Sequence, residues 1–153
     1  MPQADTQQFG PVEYAFDDVI EFPLGLPGFE DERSFLLITP SKPKPLVFLQ
    51  SLDRPELCFV TLPLEVVDPN YQLSVSAEDW IVLVPAGQTL EAVGQAEDGQ
   101  IRCLAIISLT DSRPTANLLA PLVINPAGRR GVQAIRLDNV YSHQHPVEAL
   151  VCS

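Results

Sequence analysis

Short apolar runs separated by turn residues limit this chain to a small number of folds. Runs such as Ser34–Thr39, Leu46–Ser51 and Leu57–Leu62 recur along the sequence, at intervals of about 8 to 15 residues, as in sandwiches and barrels. Between them the sequence has no helical pattern longer than one turn. The sequence therefore predicts an all-β, single-domain fold, an antiparallel small β-barrel or sandwich.

The length of 153 residues is that of one domain. We expect a flexible N-terminus over residues 1–8, where no apolar pattern appears, and a β domain over residues 9–141. Residues 142–153 lie beyond the last predicted strand, so we expect them to form a solvated C-terminal tail. That tail contains both histidines, His143 and His145.

Several local elements follow from the patterns. Leu46–Ser51 and Leu57–Leu62 predict one hairpin, and Asp98-Gly99 predicts another, because Asp-Gly suits the positive φ angles of a tight turn. The alternation in Tyr71–Ser76 predicts a half-exposed strand, and Ala77–Trp80 predicts a single helical turn. Cys103–Leu109 is continuously apolar and predicts a central strand covered on both faces.

The stretch Phe16–Glu30 runs from an apolar strand into a loop of prolines and glycines. Leu26–Phe29 predicts a type II turn, since Pro27 presets a negative φ and Gly28 accepts a positive one. We expect the Glu30 carboxylate to accept hydrogen bonds from N–H groups of that turn, although direct contact with a partner is the alternative.

A second stretch, Thr115–Asn125, has an asparagine near each end and Pro121 between them. The side-chain amides of Asn117 and Asn125 can bond to neighbouring backbone, so we expect them to fix turns; the alternative places one of them at an interface. Val132–Leu137 then alternates as a strand, with Val132 and Ala134 inside and, less cleanly, Ile135 or Leu137.

Both stretches resemble known motifs. The segment Phe22–Glu30 closely resembles the signature of the FliW family of flagellar assembly factors, and Thr115–Asn125, Gly131–Gln133 and Tyr141 resemble its second block. Weaker landmarks are Phe48–Ser51 and Tyr71. The resemblance implies a compact β-barrel that is not an enzyme and needs no cofactor. It also implies a protein that antagonises CsrA, an RNA-binding translational regulator, and binds flagellin as a chaperone, so that flagellin level controls translation of flagellin mRNA.

The acidic balance of the chain indicates what kind of partner it binds. Its net charge is −11, from 20 acidic and 9 basic residues, which argues against direct binding of nucleic acid. Eight acidic residues precede the first basic one, Arg33. They form either a solvated face or a docking surface for the basic CsrA. Our hypothesis assigns that docking surface to five carboxylates: Asp17, Asp18, Glu21, Asp31 and Glu32.

Other expectations concern location and chemistry. No apolar run approaches the roughly 20 residues of a membrane span, and the first residues lack the pattern of a secretory signal. We therefore expect a cytoplasmic monomer without membrane contact. Cys58 and Cys103 lie within apolar runs and predict small core residues, while the spacing of cysteines and histidines predicts no metal site. Flagellin binding is expected to use apolar surface.

Two alternatives from other functional classes stay open. A small-molecule-binding barrel would need a roomy interior with converging polar groups. A carboxylate-based hydrolase would need two acids in one cleft, such as Glu21 with Glu30 or Asp31, and a raised pKa on one of them.

Overall fold

A computed structural model of the protein describes residues 2–40, 46–84, 101–110, 113–138 and 140–147. The described strands are β1 (Gln3–Thr6), β2 (Gly10–Glu13), β3 (Val19–Glu21), β4 (Ser34–Ile38), β5 (Val47–Ser51), β6 (Cys58–Pro63), β7 (Arg102–Thr110), β8 (Arg113–Ala116), β9 (Leu122–Asn125), β10 (Arg130–Gln133) and β11 (His145–Pro146). A 3-10 turn (Phe16–Asp18) and two short helices, α1 (Leu64–Val67) and α2 (Ala77–Leu83), complete the described elements. Neither helix is long and apolar enough to span a bilayer.

Seven strands close into a barrel, in the order β7-β6-β5-β4-β3-β10-β9 and back to β7. The long strand β7 makes this closure possible because it changes partners along its length. Arg102–Leu104 pairs with β9, Leu104–Ile106 with β6, and Ile107–Thr110 with β8 outside the ring. The all-β prediction is confirmed in its barrel form. One pair departs from the antiparallel rule, since β3 and β10 run parallel with Glu21 opposite Arg130.

Large side chains fill the barrel interior. Phe22, Phe35, Leu49 and Ile124 are fully buried there, and the rings of Phe22 and Phe35 meet edge to face with centroids 5.4 Å apart. Burial of each such side chain stabilises the fold by roughly 1.5–3 kcal/mol. Packed side chains thus occupy the space that a small-molecule barrel would need for its ligand.

Two smaller clusters lie outside the ring. One packs Leu62, Ala105 and Leu118 beside α1, and the other packs Leu83 of α2 onto β9 and β10. The predicted single helical turn at Ala77–Trp80 is too short, because the helix continues to Leu83. Ser76 accepts the N–H of Asp79 as an N-cap at 3.1 Å, and Trp80 and Leu83, three residues apart, both pack in this cluster.

The described parts of the two segments expected to be flexible, residues 2–8 and 142–147, contain paired strands. Strand β1 pairs with β2, and Thr6 closes this hairpin by donating from Oγ1 to the Gly10 carbonyl oxygen at 2.8 Å. Phe9 anchors the hairpin against Phe48, with ring centroids 5.0 Å apart. At the other end β11 pairs with β8, and Val147 is buried in the cluster beside α1.

The hairpin of β5 and β6 is confirmed, whereas the hairpin predicted at Asp98-Gly99 lies outside the described residues. The prediction that the strand at Cys103–Leu109 is covered on both faces is wrong for its C-terminal end. Leu104 and Ala105 are buried, but Leu109 is 75 % exposed because this half of β7 has left the barrel to pair with β8.

The strand predicted at Tyr71–Ser76 is wrong, because the segment is irregular. Side chains from residues 136–141 hold it instead. Arg136 donates to the Gln72 carbonyl oxygen, its guanidinium lies 4.8 Å from the ring centroid of Tyr141, and it forms a 2.8 Å ion pair with Asp138. We call Tyr71, Arg136, Asp138 and Tyr141 the arginine latch. Tyr71 adds a 2.7 Å hydrogen bond to the Leu118 carbonyl oxygen.

Strand β10 ends at Gln133, four residues before the predicted end at Leu137. Val132 and Ala134 are buried, as predicted. Ile135 is 54 % exposed and Leu137 is fully exposed, so the expectation that one of them lies inside is wrong. The exposed apolar side chain of Ile135 lies next to the loop that follows β3.

Candidate functional site

The loop after β3 folds as the sequence predicts. The N–H of Phe29 donates to the Leu26 carbonyl oxygen at 2.7 Å, and Gly28 has a φ of +85°, as a type II turn requires. Oε2 of Glu30 accepts the N–H of Gly28 at 3.0 Å. This hydrogen bond lowers the pKa of Glu30, because it favours the charged carboxylate. We call residues 22–30 the corner.

Gly25 is a corner residue whose role sequence reasoning missed. Its φ is +68°, and a Cβ at this position would lie 2.6 Å from backbone atoms of Glu30. Only glycine permits this close approach of the loop to itself. The approach lets Leu26 turn into the barrel interior beside Phe22, where both side chains are buried.

The second motif adjoins the corner through β10. Gly131 lies against the Phe22 ring so closely that an added Cβ would be 2.6 Å from it. The Gln133 side chain donates to the Ala120 carbonyl oxygen at 3.0 Å, and the N–H of Ala134 donates to the oxygen of Pro121 at 2.8 Å. The two motifs, which are far apart in the sequence, therefore pack against each other.

The asparagines of the second motif act on backbone, as expected. Oδ1 of Asn117 accepts the N–H groups of Leu119 and Ala120, each at 3.1 Å. Asn125 is buried; its Nδ2 donates to the Leu83 carbonyl oxygen at 2.8 Å and its Oδ1 accepts the N–H of Gly128 at 3.3 Å. Asn125 therefore also attaches α2 to the barrel, a contact across 42 residues that has no local signal.

An open groove lies between the corner and the end of β10. It consists of two cavities of about 280 and 320 Å³ that share Pro27, Gln133 and Ile135. The remaining lining residues are mostly apolar: Leu24, Gly25, Glu30, Asp79 and Val132 on one side, and Leu26, Phe59, Ile106, Asn117 and Ala120 on the other. We call this surface the corner groove.

The five carboxylates predicted as a docking surface lie on and beside β3 and β4. We call them the acidic edge. Asp18 accepts the Ala15 N–H at 2.8 Å, Ser34 donates to Glu21 at 2.9 Å, and Ser51 donates to Glu32 at 3.3 Å. Three of the five carboxylates therefore also have structural roles. Asp17 and Asp31 are exposed.

Several arginines adjoin the acidic edge and reduce its negative charge locally. Nε of Arg54 lies 3.9 Å from Oε1 of Glu32. Arg130 is the register partner of Glu21. The Arg129 guanidinium lies 4.4 Å from the centroid of the Phe16 ring and donates to the Phe16 carbonyl oxygen at 3.1 Å. Arg129 adopts a positive φ of 55° in the turn before β10. These contacts join the 3-10 turn to β10.

Among the described residues, Glu30 does not have the property that the acid of a hydrolase needs. The pKa of Glu30 is lowered, whereas a catalytic acid at neutral pH requires a raised one. Burial raises the pKa of the Cys58 and Cys103 thiols to about 11, so both stay neutral near pH 7. Among the residues that the structure describes, no three His, Cys, Asp or Glu side chains are grouped to hold a metal ion.

The fold and this surface define a class, a small acidic β-barrel with a packed interior and with its charged and apolar features on the outside. Sequence comparison gives the particular group. The chain matches the family described as FliW protein over residues 3–147 and belongs to that family. The match includes β1 and β11, so it is wider than the predicted domain of residues 9–141.

Individual relatives agree with the family match. The flagellar assembly factor FliW of Thermoanaerobacter pseudethanolicus is 34 % identical over 148 residues, covering 95 % of this chain and 92 % of the relative. That of an Azoarcus species is 38 % identical over 130 residues, covering 83 % and 86 %. A crystal structure of the flagellar assembly factor FliW superposes with a TM-score of 0.76 at 28 % identity, covering 95 % of this chain and 96 % of the other.

Proposed function

We propose that this protein is a cytoplasmic flagellar assembly factor that works by binding other proteins. The observation that carries the proposal is the match to FliW proteins over nearly the whole chain, together with the surface on which the two motifs adjoin. The role is not enzymatic, since the relatives are named as assembly factors.

Its two partners are the translational regulator CsrA and flagellin. Flagellin that accumulates occupies the protein and leaves CsrA free to repress flagellin synthesis. When flagellin is exported, the vacated protein binds CsrA and relieves the repression. The protein is thus both a flagellin chaperone and a CsrA antagonist.

The acidic edge is the proposed docking surface for CsrA. A net charge of −11 steers a basic RNA-binding protein toward this chain and repels the phosphates of RNA near the contact. Asp17 and Asp31 are exposed, so they can meet a partner without first breaking an internal contact such as the Ser34–Glu21 hydrogen bond.

Calorimetry of the purified protein with the CsrA and the flagellin of its own source tests the proposal. We expect binding to both, displacement of CsrA by flagellin, and weaker CsrA binding at higher salt. Binding to neither partner would contradict the proposed function. Binding to flagellin alone would leave the chaperone role and remove the translational one.

Charge variants test the acidic edge itself. We expect Asp17→Lys and Asp31→Lys to weaken CsrA binding and flatten its salt dependence, because each removes steering charge at the contact. Glu65→Lys is the matched control, since it makes the same charge change on α1, which packs on β6 and β7. Equal effects of all three variants would show that net charge matters and that the position of the acidic edge does not.

A further inference from the structure

The corner groove is an apolar surface on the outside of the barrel. Leu24 and Ile135 border it with side chains that are 57 % and 54 % exposed. Phe59 and Ile106, which pack against the barrel core, extend its apolar lining. Apolar side chains grouped around one groove, beside polar groups, suit an interaction site on a protein that is otherwise strongly charged.

The walls of the groove are rigid before anything binds. Pro27 and Gly28 fix one wall in the type II turn. Gln133 fixes the other by its bond to Ala120, and the N–H of Arg136 donates to the Leu119 carbonyl oxygen at 2.9 Å. A preformed groove loses little conformational entropy when it binds a partner.

The charge at the groove selects its occupant. Among the described residues that line the groove, both charged ones, Glu30 and Asp79, are carboxylates and come from different elements, the corner and α2. Arg33 is a neighbouring cation; its Nε donates to the Glu30 carbonyl oxygen at 3.4 Å, and it lies outside the lining. An occupant therefore gains from basic groups beside its apolar surface.

The shape of the groove favours a row of side chains over a compact ligand. The two cavities adjoin each other, since Pro27, Gln133 and Ile135 line both. A helix that places apolar side chains at i, i+3, i+4 and i+7 fits such a continuous groove.

We propose that the corner groove binds an amphipathic helix whose apolar stripe is flanked by lysine or arginine. Flagellin supplies this helix, and only this assignment of the source rests on the proposed function. Binding of flagellin at the corner groove and of CsrA at the acidic edge would place the two partners on adjoining surfaces.

The test uses two fluorescent synthetic helices with leucine on one face, one flanked by lysine and the other by glutamate. We expect the lysine helix to bind at least about tenfold more tightly than the glutamate helix. Ile135→Asn should weaken it about tenfold by removing an apolar contact, and Asp79→Asn should weaken it less. Leu109→Asn is the matched control, because Leu109 is exposed and outside the groove lining. Equal affinity for wild type and Ile135→Asn would overturn the proposal.

Competition then identifies the source of the helix. Displacement of the lysine helix by flagellin supports the assignment, and displacement by CsrA alone overturns it. One outcome is that the protein binds both partners directly while Ile135→Asn leaves its affinity for the lysine helix unchanged. That result would refute the groove and leave the proposed function intact. Groove-dependent helix binding by a protein that binds neither partner would refute the proposed function instead.

Discussion

The corner and the arginine latch are held together by different kinds of contact. Both hold an irregular segment on the barrel surface without a sheet ladder. The corner does so through backbone geometry, with positive φ angles at Gly25 and Gly28 and a carboxylate that bonds to a nearby N–H. The latch does so through side chains, with Arg136 placed against two tyrosines and bonded to the Gln72 carbonyl oxygen.

The corner and the latch are encoded over different distances in the sequence. The hydrogen bond between Glu30 and Gly28 spans two residues, whereas the bond between Arg136 and Gln72 spans 64. A short-range structure depends on which residues can adopt a backbone angle. A long-range structure depends on the whole barrel to bring its members together.

Gly25→Ala in the corner should destabilise the protein more than the variants that follow. The new Cβ would lie 2.6 Å from the Glu30 backbone at a positive φ, so backbone must move. We expect a loss of at least ~3 kcal/mol in the free energy of unfolding, measured by denaturant titration. Unchanged stability would show that the corner is pliable and that its backbone geometry does not hold it.

Arg136→Met should be the second most destabilising substitution. The Arg136 side chain is only 8 % exposed, and methionine keeps much of its length while losing the cation and the hydrogen bonds. We expect destabilisation of roughly 2 kcal/mol from the lost stacking and hydrogen bonds. Arg136→Lys is the comparison variant. If lysine restores full stability, charge alone holds the latch and the planar guanidinium contributes nothing.

Gly28→Ala separates two effects that Gly25→Ala combines, the strain of a positive φ and the clash of the new Cβ with backbone. Gly28 also has a positive φ, but a Cβ there meets nothing within 4 Å. We therefore expect only the conformational term, about 1 kcal/mol, in the same denaturant titration. A loss as large as that of Gly25→Ala would mean that the positive φ, and not the close approach to Glu30, accounts for both effects.

The smallest effect is expected in acid. The Gly28 N–H lowers the pKa of Glu30 below its ordinary 4.5, and Arg136 lowers that of Asp138 below its ordinary 3.8. Because both folded-state pKa values are depressed, each carboxylate stabilises the fold above its ordinary pKa, and this contribution is lost as pH falls through the folded value. NMR titration of the side-chain carboxyl carbons should show both shifts. Arg136→Met should raise the pKa of Asp138 and leave that of Glu30 unchanged; a shift of both would mean that corner and latch are coupled.

The sequence predicted what local chemistry determines. Proline and glycine at 27 and 28 favour a type II turn through their own backbone angles, and asparagine bonds to nearby backbone in many loops. The spacing of apolar runs likewise predicted the all-β class. The Tyr71–Ser76 prediction failed because alternation is equally compatible with a segment held by distant side chains.

The corner groove could not have been found from the sequence. One wall comes from the loop after β3 and the other from the end of β10, and they meet only because those strands pair in parallel. Apolar residues at 24 and 135 have no local signal that distinguishes a groove from a core. The acidic edge was easier to predict, since its members lie close together in sequence, and its role as a docking surface stays a prediction.

The parallel pairing of β3 with β10 also determines when the barrel can close while the ribosome makes the chain. Strand β3 ends at Glu21, whereas its second neighbour begins only at Arg130. A ribosome adds the roughly 100 intervening residues in about 5–20 s. Throughout that interval the nascent sheet has an open edge at β3, which other strands could pair with before the barrel closes. Ring closure thus has to wait for the synthesis of β10, and the corner that follows β3 acquires its second wall only then.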